Sequence, residues 1–552
     1  MTRVFIFGID AGSLKLIKQW KSHLPNFSRL MNEGCYGILQ STIPPFTSPA
    51  WACMSSGKNP AKVGIFGLRH RKKDSYEFEP PTSMNRHAPA LWEIAGQHGR
   101  FSTILNVPDT YPPTQLQGHM ISGRPAPVEA VSGISYPSEL LQELNLESGH
   151  YQRGPGSDFD DGSRKDELGT WKKVLASHQD AILYLMTNKR WDLFFYVSMA
   201  IDGICHHFWQ HLDKEHPDYD PEVSPQFSQN IQEIYKVEDA RIGEIISRLN
   251  EDDLFLVVSD HGSTPVYHQI SVNRWLIDNG YLVLKNEQTV YQNQWLRQIA
   301  KHTFSLYRKS ARVRHLLRPF RSTKLRDTII FSQFANKSDG RIPFDALPVD
   351  WEKTTAYYLG DNRIYLNLAG REPHGVVQPE NYEQIRDKLR KKLADERFPN
   401  SDQPLFSEIY NKEEIYEGPY LDKTADLILV PGSINWSLGG AVGEHVVDKP
   451  VVGGKHHPDG VFLAWGSMIK PGERKPASIY DIAPTVLHTL GIPIPDNCDG
   501  QVQTNWFKEN TSPAQTPVRY ETVEDIYQNE YQWREDEMSE MEDRLRDLGY
   551  LD

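Results

Sequence analysis

The sequence predicts an α/β fold: a mostly parallel central sheet flanked by helices, with an inserted cap domain. Two observations carry that prediction. Short apolar runs rich in β-branched and aromatic residues recur along the chain and stop at polar or acidic residues. Val4 to Ile9 ends at Asp10, Leu193 to Met199 leads to Asp202, and Leu254 to Val258 ends at Ser259 and Asp260. Helical stretches separate these runs, a pattern that gives parallel strands buried on both faces. In such a sheet, groups at the carboxyl ends of the strands converge on one crevice, so acidic residues far apart in the chain can share a site.

Val4 to Ile9 is the first core strand. Its apolar run is too short for a signal peptide and soon meets Asp10, which points to a cytoplasmic protein. Ser48 to Ser56 reads as a helix preceding Gly57, because Thr47 and Ser48 stand beside Pro49 and proline is favoured at a helix start. Residues 104–180, rich in Pro, Gly and polar side chains, read as long active-site loops within the first part of the catalytic core, 1–279. A helix from Ala200 carries HHFWQH. The long interval after His261 places the cap at 280–420. The core then resumes over 421–506, where the runs Asp426 to Val430 and Val461 to Trp465 are apolar enough for buried strands. Ser478 to Leu490 is a helix ended by Gly491. The charged extension 507–552 has helical spacing at Met538, Met541, Leu545 and Leu548, which predicts a docked amphipathic helix.

At 552 residues the chain exceeds what one hydrophobic core holds, in keeping with a catalytic domain and an insert. Apolar residues at 39% and charged residues at 24% are ordinary for a soluble enzyme. The formal charge of −13 argues against a stable nucleic-acid complex or an anionic membrane surface. It leaves room for an anionic substrate, because bound metal ions invert the local field. No stretch approaches the ~20 apolar residues of a membrane span. Cys35, Cys53, Cys205 and Cys498 are scattered without metal-finger spacing, which suits a reduced chain.

Five places concentrate chemistry. Asp10 ends a strand. Thr47 and Ser48 open a helix, where a hydroxyl lies near backbone N–H groups that bind phosphate. Asp202 and His206 are four apart and share a helix face; His207 and His211 stand beside them. Asp260 and His261 follow a strand and precede Gly262. His456 and His457 sit in a glycine-framed loop before VFLAWG. Each has an ordinary alternative: a helix cap, a solvated helix face, a polar turn or a loop histidine. Together they set three aspartates, several histidines and a hydroxyl at successive strand ends. Mixed Asp and His ligands suit Zn2+, or Mn2+ where oxygen ligands contribute more. Two such ions about 4 Å apart activate a nucleophile and stabilise a departing oxygen.

The fragments FGIDAG, PPFTSPAWACMSSGKNPAKVGIFG, IDGICHH, VVSDHG, GKHHPDGVFLAWG and YDIAPTVLHTLGIP resemble, in order from residue 7 to residue 493, the alkaline phosphatase superfamily, most closely its type I phosphodiesterase and nucleotide pyrophosphatase branch. The resemblance implies an alkaline phosphatase-like fold and two divalent ions. One would be held by Asp10, Thr47, Asp260 and His261, the other by Asp202, His206 and His456. It also implies that Thr47 is the nucleophile and forms phosphothreonine; the choice of Thr47 over Ser48, and of His456 over His457, rests on the match. Nucleotide-cleaving relatives place an asparagine shortly after the motif that ends here at Gly64. This chain has Leu68, Arg69 and His70 there, and Arg69 is the candidate phosphate contact. The expected activity is metal-dependent hydrolysis of small phosphodiesters or nucleotide pyrophosphates. The alternatives are a phosphomonoesterase or phosphomutase of the same superfamily and, outside catalysis, a metal-stabilised binding protein. A sulfatase is disfavoured because no C-x-P-x-R motif is present.

Overall fold

The computed structural model describes residues 2–126, 133–155, 166–285, 341–450 and 452–526, with Trp533, Glu537 and Met538. Strand β1 (Val4–Ile9) is buried along its whole length because both of its faces are covered. Phe5, Phe7 and Ile9 enter one apolar layer and Val4 and Ile6 the other, the two-residue alternation of a strand. β2 (Cys35–Gln40) is followed by helix α1 (Thr47–Ser56), which ends at Gly57 in a left-handed conformation with φ 71°. Next come β3 (Ser102–Leu105), β4 (Gly118–Ile121), β5 (Ser135–Tyr136), the long helix α2 (Glu167–Asn188) and β6 (Leu193–Ser198). Helices α3 (Ala200–Leu212) and α4 (Asn230–Ile246) lead to β7 (Leu254–Val258) and β8 (Gly262–Pro265).

The second half supplies β9 (Ala356–Tyr358), β10 (Arg363–Leu366), helix α5 (Tyr382–Ala394), β11 (Phe406–Asn411) and β12 (Leu427–Pro431). These four strands form their own antiparallel sheet in the order β9-β10-β12-β11, over a separate apolar cluster that includes Trp275, Tyr357, Leu389 and Leu429. The chain then gives β13 (Gly454–His457), β14 (Asp459–Trp465), β15 (Gly472–Glu473), β16 (Ala477–Ser478) and helix α6 (Ile482–Thr489).

The main sheet runs β15-β2-β14-β7-β1-β6-β3-β4-β5, with β16 also paired to β2. β1 is parallel to β6 and β7, and β3 is parallel to β6. Gly8 is level with Val258 and Ile9 with Ser198, so the residues after these three strands leave the sheet at one height. β14 runs antiparallel between β2 and β7. Its beginning, not its end, therefore lies at the carboxyl edge of the parallel strands.

Two expectations are corrected. Residues 104–180, read as loops, contribute β4, β5 and most of α2; their Pro and Gly residues mark turns between short elements, and Trp171, Val174, Ile182 and Leu185 are the buried face of α2. The run Asp426 to Val430, read as a return to the main sheet, is β12 of the smaller one. An apolar run reports burial but not which sheet buries it. Of the amphipathic helix expected through Met538, Met541, Leu545 and Leu548, all but Met538 lie outside the described residues. No helix of the described residues is long and apolar enough to cross a membrane.

Candidate active site

The carboxyl edge of the sheet gathers the acidic strand ends. Asp10 leaves β1 fully buried, and the residue after it, Ala11, takes a left-handed conformation at φ 60°. That turn directs the Ala11 N–H to Asp260 Oδ1 at 3.3 Å and the Gly12 N–H to Ser259 Oγ at 2.8 Å. Ser259 Oγ in turn donates to the His261 carbonyl, so one hydroxyl ties together the turns that follow β1 and β7. Gly8 has no side chain because the Trp51 ring lies where a Cβ would sit; this lets Trp51 Nε1 donate to Asp10 Oδ2 at 2.9 Å.

Asp202 and His206 occupy successive turns of α3 on one face, with His206 Nε2 3.2 Å from Asp202 Oδ1. His456 arrives from β13, which pairs antiparallel with β8 and lays its ring on that of His261, centroids 3.8 Å apart and planes 21° from parallel. Thr47 is the first residue of α1. Phe46 holds the N-cap position, so neither hydroxyl caps the helix. Thr47 Oγ1 is 3.2 Å from His261 Nε2, while Ser48 Oγ donates to Asp109 Oδ1 at 3.2 Å.

The three histidines are fixed in the same sense. Nδ1 of His206 lies 2.9 Å from the Gly454 carbonyl, Nδ1 of His261 3.0 Å from that of Gly262, and Nδ1 of His456 2.8 Å from that of Pro45. A carbonyl only accepts, so each Nδ1 carries the proton and each Nε2 presents a lone pair. Those lone pairs crowd the buried carboxyl oxygens and one another. His261 Nε2 is 3.1 Å from Asp260 Oδ2 and 3.5 Å from Asp10 Oδ1, and His456 Nε2 is 3.6 Å from Asp202 Oδ1 and 3.3 Å from His206 Nε2. Asp10 Oδ1 and Asp260 Oδ2 are buried with no hydrogen-bond partner among the described residues. A buried cluster of acceptors is costly unless shared protons or positive charge offset it. Two sets have ligand atoms within 4.8 Å of one another, Asp10 with Asp260 and His261, and Asp202 with His261 and His456. The structure thus brings together Asp10, Thr47, Asp202, His206, Asp260, His261 and His456, with His261 standing between the two sets.

The electrostatics agree with the geometry. Burial pushes the Asp10 and Asp260 carboxyls well above the usual range; the Asp260 and Asp202 charges add to the effect on Asp10, and the Asp202 charge to that on Asp260. Burial also works against the charge of Asp202, but the neighbouring His206, His456 and His261 rings outweigh it and hold that carboxyl low. Burial pushes His261 down to about 4 and His456 well below the ordinary imidazole range. Divalent ions would stabilise every carboxylate here and leave the rings neutral.

Neighbouring candidates are engaged elsewhere. His207 Nδ1 meets Glu167 at 2.8 Å, His211 Nδ1 is 3.0 Å from Ser224 Oγ, and His457 Nδ1 accepts the Asp459 N–H. Arg69 donates to the Leu359 carbonyl at 2.5 Å and lies 3.9 Å from Asp345. Trp51 and Asp109 escaped the sequence reading. The Trp51 signal was its position four residues after Thr47, one helical turn on. Asp109 looks like an ordinary turn residue in NVPDTYPP.

The sequence model of the type I phosphodiesterase / nucleotide pyrophosphatase family matches residues 4–459. None of the curated proteins matches the chain. Among solved structures, an inactive variant of murine ectonucleotide pyrophosphatase / phosphodiesterase 5 in complex with AMP is 13% identical; the match covers 91% of this chain and 98% of that one at a TM-score of 0.49. Human ectonucleotide pyrophosphatase / phosphodiesterase 5 is 13% identical, with 91% of this chain and 97% of that one covered at a TM-score of 0.45.

Proposed function

The chain belongs to the type I phosphodiesterase / nucleotide pyrophosphatase family, and we propose that it hydrolyses small phosphodiesters or nucleotide pyrophosphates with two divalent ions and Thr47 as nucleophile. The observation that carries this reading is the set of three Nδ1-protonated histidines aiming Nε2 lone pairs at buried carboxylates, two of whose oxygens are orphaned. Asp10, Asp260 and His261, with Thr47, would hold one ion; Asp202, His206 and His456 would hold the other. The donor set suits Zn2+ or Mn2+. When bound, such ions acidify coordinated hydroxyls and neutralise charge on a phosphoryl group.

The protein's own residues do the rest. Thr47 Oγ1 forms the bond to phosphorus as the ester oxygen departs in line, and a water oxygen later displaces the threonine and restores its hydroxyl. The first N–H groups of α1 lack helical partners and favour the negative charge that arrives there. Trp51 holds Asp10, and the Gly454, Gly262 and Pro45 carbonyls hold the rings, so little reorganisation accompanies reaction. We read the smaller sheet as the cap that bounds the leaving group. It meets the segment after β2: the Leu68 N–H donates to Asp361, Tyr420 N–H to the Ala61 carbonyl, and Tyr416 OH to the Ile43 carbonyl.

The test is rapid acid quench and peptide mass spectrometry after metal removal and reconstitution, with bis-p-nitrophenyl phosphate and p-nitrophenyl phosphate as substrates. A p-nitrophenylphosphoryl group on Thr47 from the diester, a phosphoryl group there from the monoester, and faster turnover of the diester are expected. Metal uptake without turnover of either ester would instead fit a metal-stabilised binding protein.

A further inference from the structure

A fourth carboxyl reaches the same edge of the sheet. β3 is the parallel neighbour of β6, and Asn106 leaves it as Asp10 leaves β1. The Asn106 N–H donates to the Ile121 carbonyl and its Nδ2 to the Val197 carbonyl, which pins the start of the loop to β4 and β6. Asn106 and Asp109 both have left-handed backbone, at φ 58° and 57°, a conformation that Asn and Asp tolerate better than other residues with side chains. Thr110 Oγ1 donates to the Val107 carbonyl and accepts the Gly123 N–H, and the Asp109 N–H donates to the Arg124 carbonyl.

This scaffold presents the Asp109 carboxyl, 2% exposed, to the first turn of the ten-residue helix α1. Ser48, the residue after Thr47, donates its hydroxyl to Oδ1, and Oδ2 has no partner among the described residues. Burial outweighs the Ser48 hydrogen bond and pushes the carboxyl up to about 8, which favours the neutral acid, and with Oδ1 accepting from Ser48 the proton of that acid would sit on the unpartnered Oδ2. An unpartnered buried oxygen held by the residue next to Thr47 calls for a ligand.

We infer that Asp109, oriented by Ser48, donates a hydrogen bond to a non-bridging oxygen of the phosphoryl group brought to Thr47. The inference rests on the reading of Thr47 as nucleophile. It supplies the phosphoryl contact for which the sequence offered Arg69, whose guanidinium is taken up by Leu359 and Asp345. An uncharged acid also suits the task, since an ionised carboxylate would repel the phosphoryl oxygens. The substitution Asp109→Asn keeps a donor of nearly the same shape, and Asp109→Ala removes it.

The experiment measures the Kd of inorganic phosphate on metal-loaded protein by calorimetry, with metal content and melting temperature recorded for each variant. Asp109→Ala should weaken phosphate about 10- to 150-fold, the range for a hydrogen bond to a charged group. Asp109→Asn should stay within about threefold, and Ser48→Ala should fall between them, since it only frees the carboxyl to rotate. An unchanged Kd in Asp109→Ala, an Asp109→Asn as weak as Asp109→Ala, or loss of metal in step with phosphate would each overturn the assignment. Phosphate binding needs no covalent step, whereas acid-quench labelling of wild-type Thr47 reports the nucleophile alone, so the two readings fail separately.

Discussion

Two fully buried aspartates in this molecule show opposite electrostatics. Asp426, in the smaller sheet, accepts two hydrogen bonds from the Arg371 guanidinium at 2.8 and 2.7 Å, one from Tyr382 OH at 2.8 Å and one from the Leu366 N–H at 2.6 Å. Burial opposes its charge, yet Arg371 outweighs burial and holds the carboxyl below its usual value. Asp260 is just as buried, accepts the Ala11 N–H at 3.3 Å on one oxygen, has no hydrogen-bond partner among the described residues on the other, and is pushed up. Burial does not separate a structural carboxylate from a ligand; the presence of a countercharge within the protein does. The smaller sheet carries its own cation, and under the proposed function the rim of the large sheet would take one from solution.

The sharpest way to break this contrast is at Thr47. Because Phe46 occupies the cap position, Thr47→Ala should keep the fold, and at saturating metal its turnover should fall roughly 10^4- to 10^6-fold, as when a covalent nucleophile is lost elsewhere. Thr47→Ser should retain measurable turnover. Undiminished steady-state rates in folded Thr47→Ala protein would end the nucleophile assignment. Next in size, Asp202→Asn should cost more in metal affinity than the roughly 10- to 100-fold of a residue that merely orients a ligand, and reduce activity accordingly, whereas His211→Ala, whose ring bonds Ser224, should be mild. Elemental analysis of both variants after dialysis reads the difference.

The complementary change lies in the other region. Arg371→Met should cost about 3–5 kcal/mol of stability, because it strands Asp426, while metal content stays at the wild-type level. Denaturant titration beside elemental analysis checks it; metal loss in this variant would mean that the two clusters are not independent.

The contrast also fixes the sign of two pH dependences. Asp426 is lowered in the fold, so its contribution is present above the unfolded value near 3.8 and disappears as pH falls through the folded one. Asp10 and Asp260 are raised, so in metal-free protein their contribution is complete below 3.8 and is lost as pH rises through the folded values. His261 and His456, lowered in the fold, add stability with rising pH only up to the unfolded value of 6.5, so the carboxylate slope is read above it. Metal-free protein should therefore lose stability as pH rises through the folded values of Asp10 and Asp260, and Zn2+ should flatten the slope. Unfolding midpoints at stepped pH, with and without Zn2+, would show a rising metal-free curve if the contrast were false. The smallest effect belongs to Arg69→Ala, expected to leave kcat/KM within about threefold because that guanidinium is held by Leu359.

The acidic strand ends were legible because β1, β6 and β7 are parallel and in register, so chain position after a strand translates directly into position at the rim. His456 obeyed a different rule. It precedes a strand, and it joins the rim only because β14 is antiparallel, a direction that an apolar run does not encode; family resemblance supplied what periodicity lacked. The run Asp426 to Val430 was misplaced because an apolar run does not say which sheet buries it. Asp109 was missed because an aspartate in a proline-rich turn is ordinary chemistry until its burial and its unpartnered oxygen are seen.

The place of β14 in the sheet also has a consequence for biosynthesis. It sits between β2 and β7 although it is the last of the three to be made. About 200 residues separate Val258 from Asp459, and at roughly 5–20 residues per second the ribosome needs about 10–40 s to make them. Throughout that interval β7 and β2 each have an edge with unpaired N–H and C=O groups, the kind of edge that recruits other chains. The nascent protein therefore needs shielding late in translation, and a ribosome stalled before Trp465 would release an aggregation-prone product. His456 emerges just ahead of the strand that closes the gap, so the growing chain fills the middle of its sheet and delivers that histidine in the same few seconds.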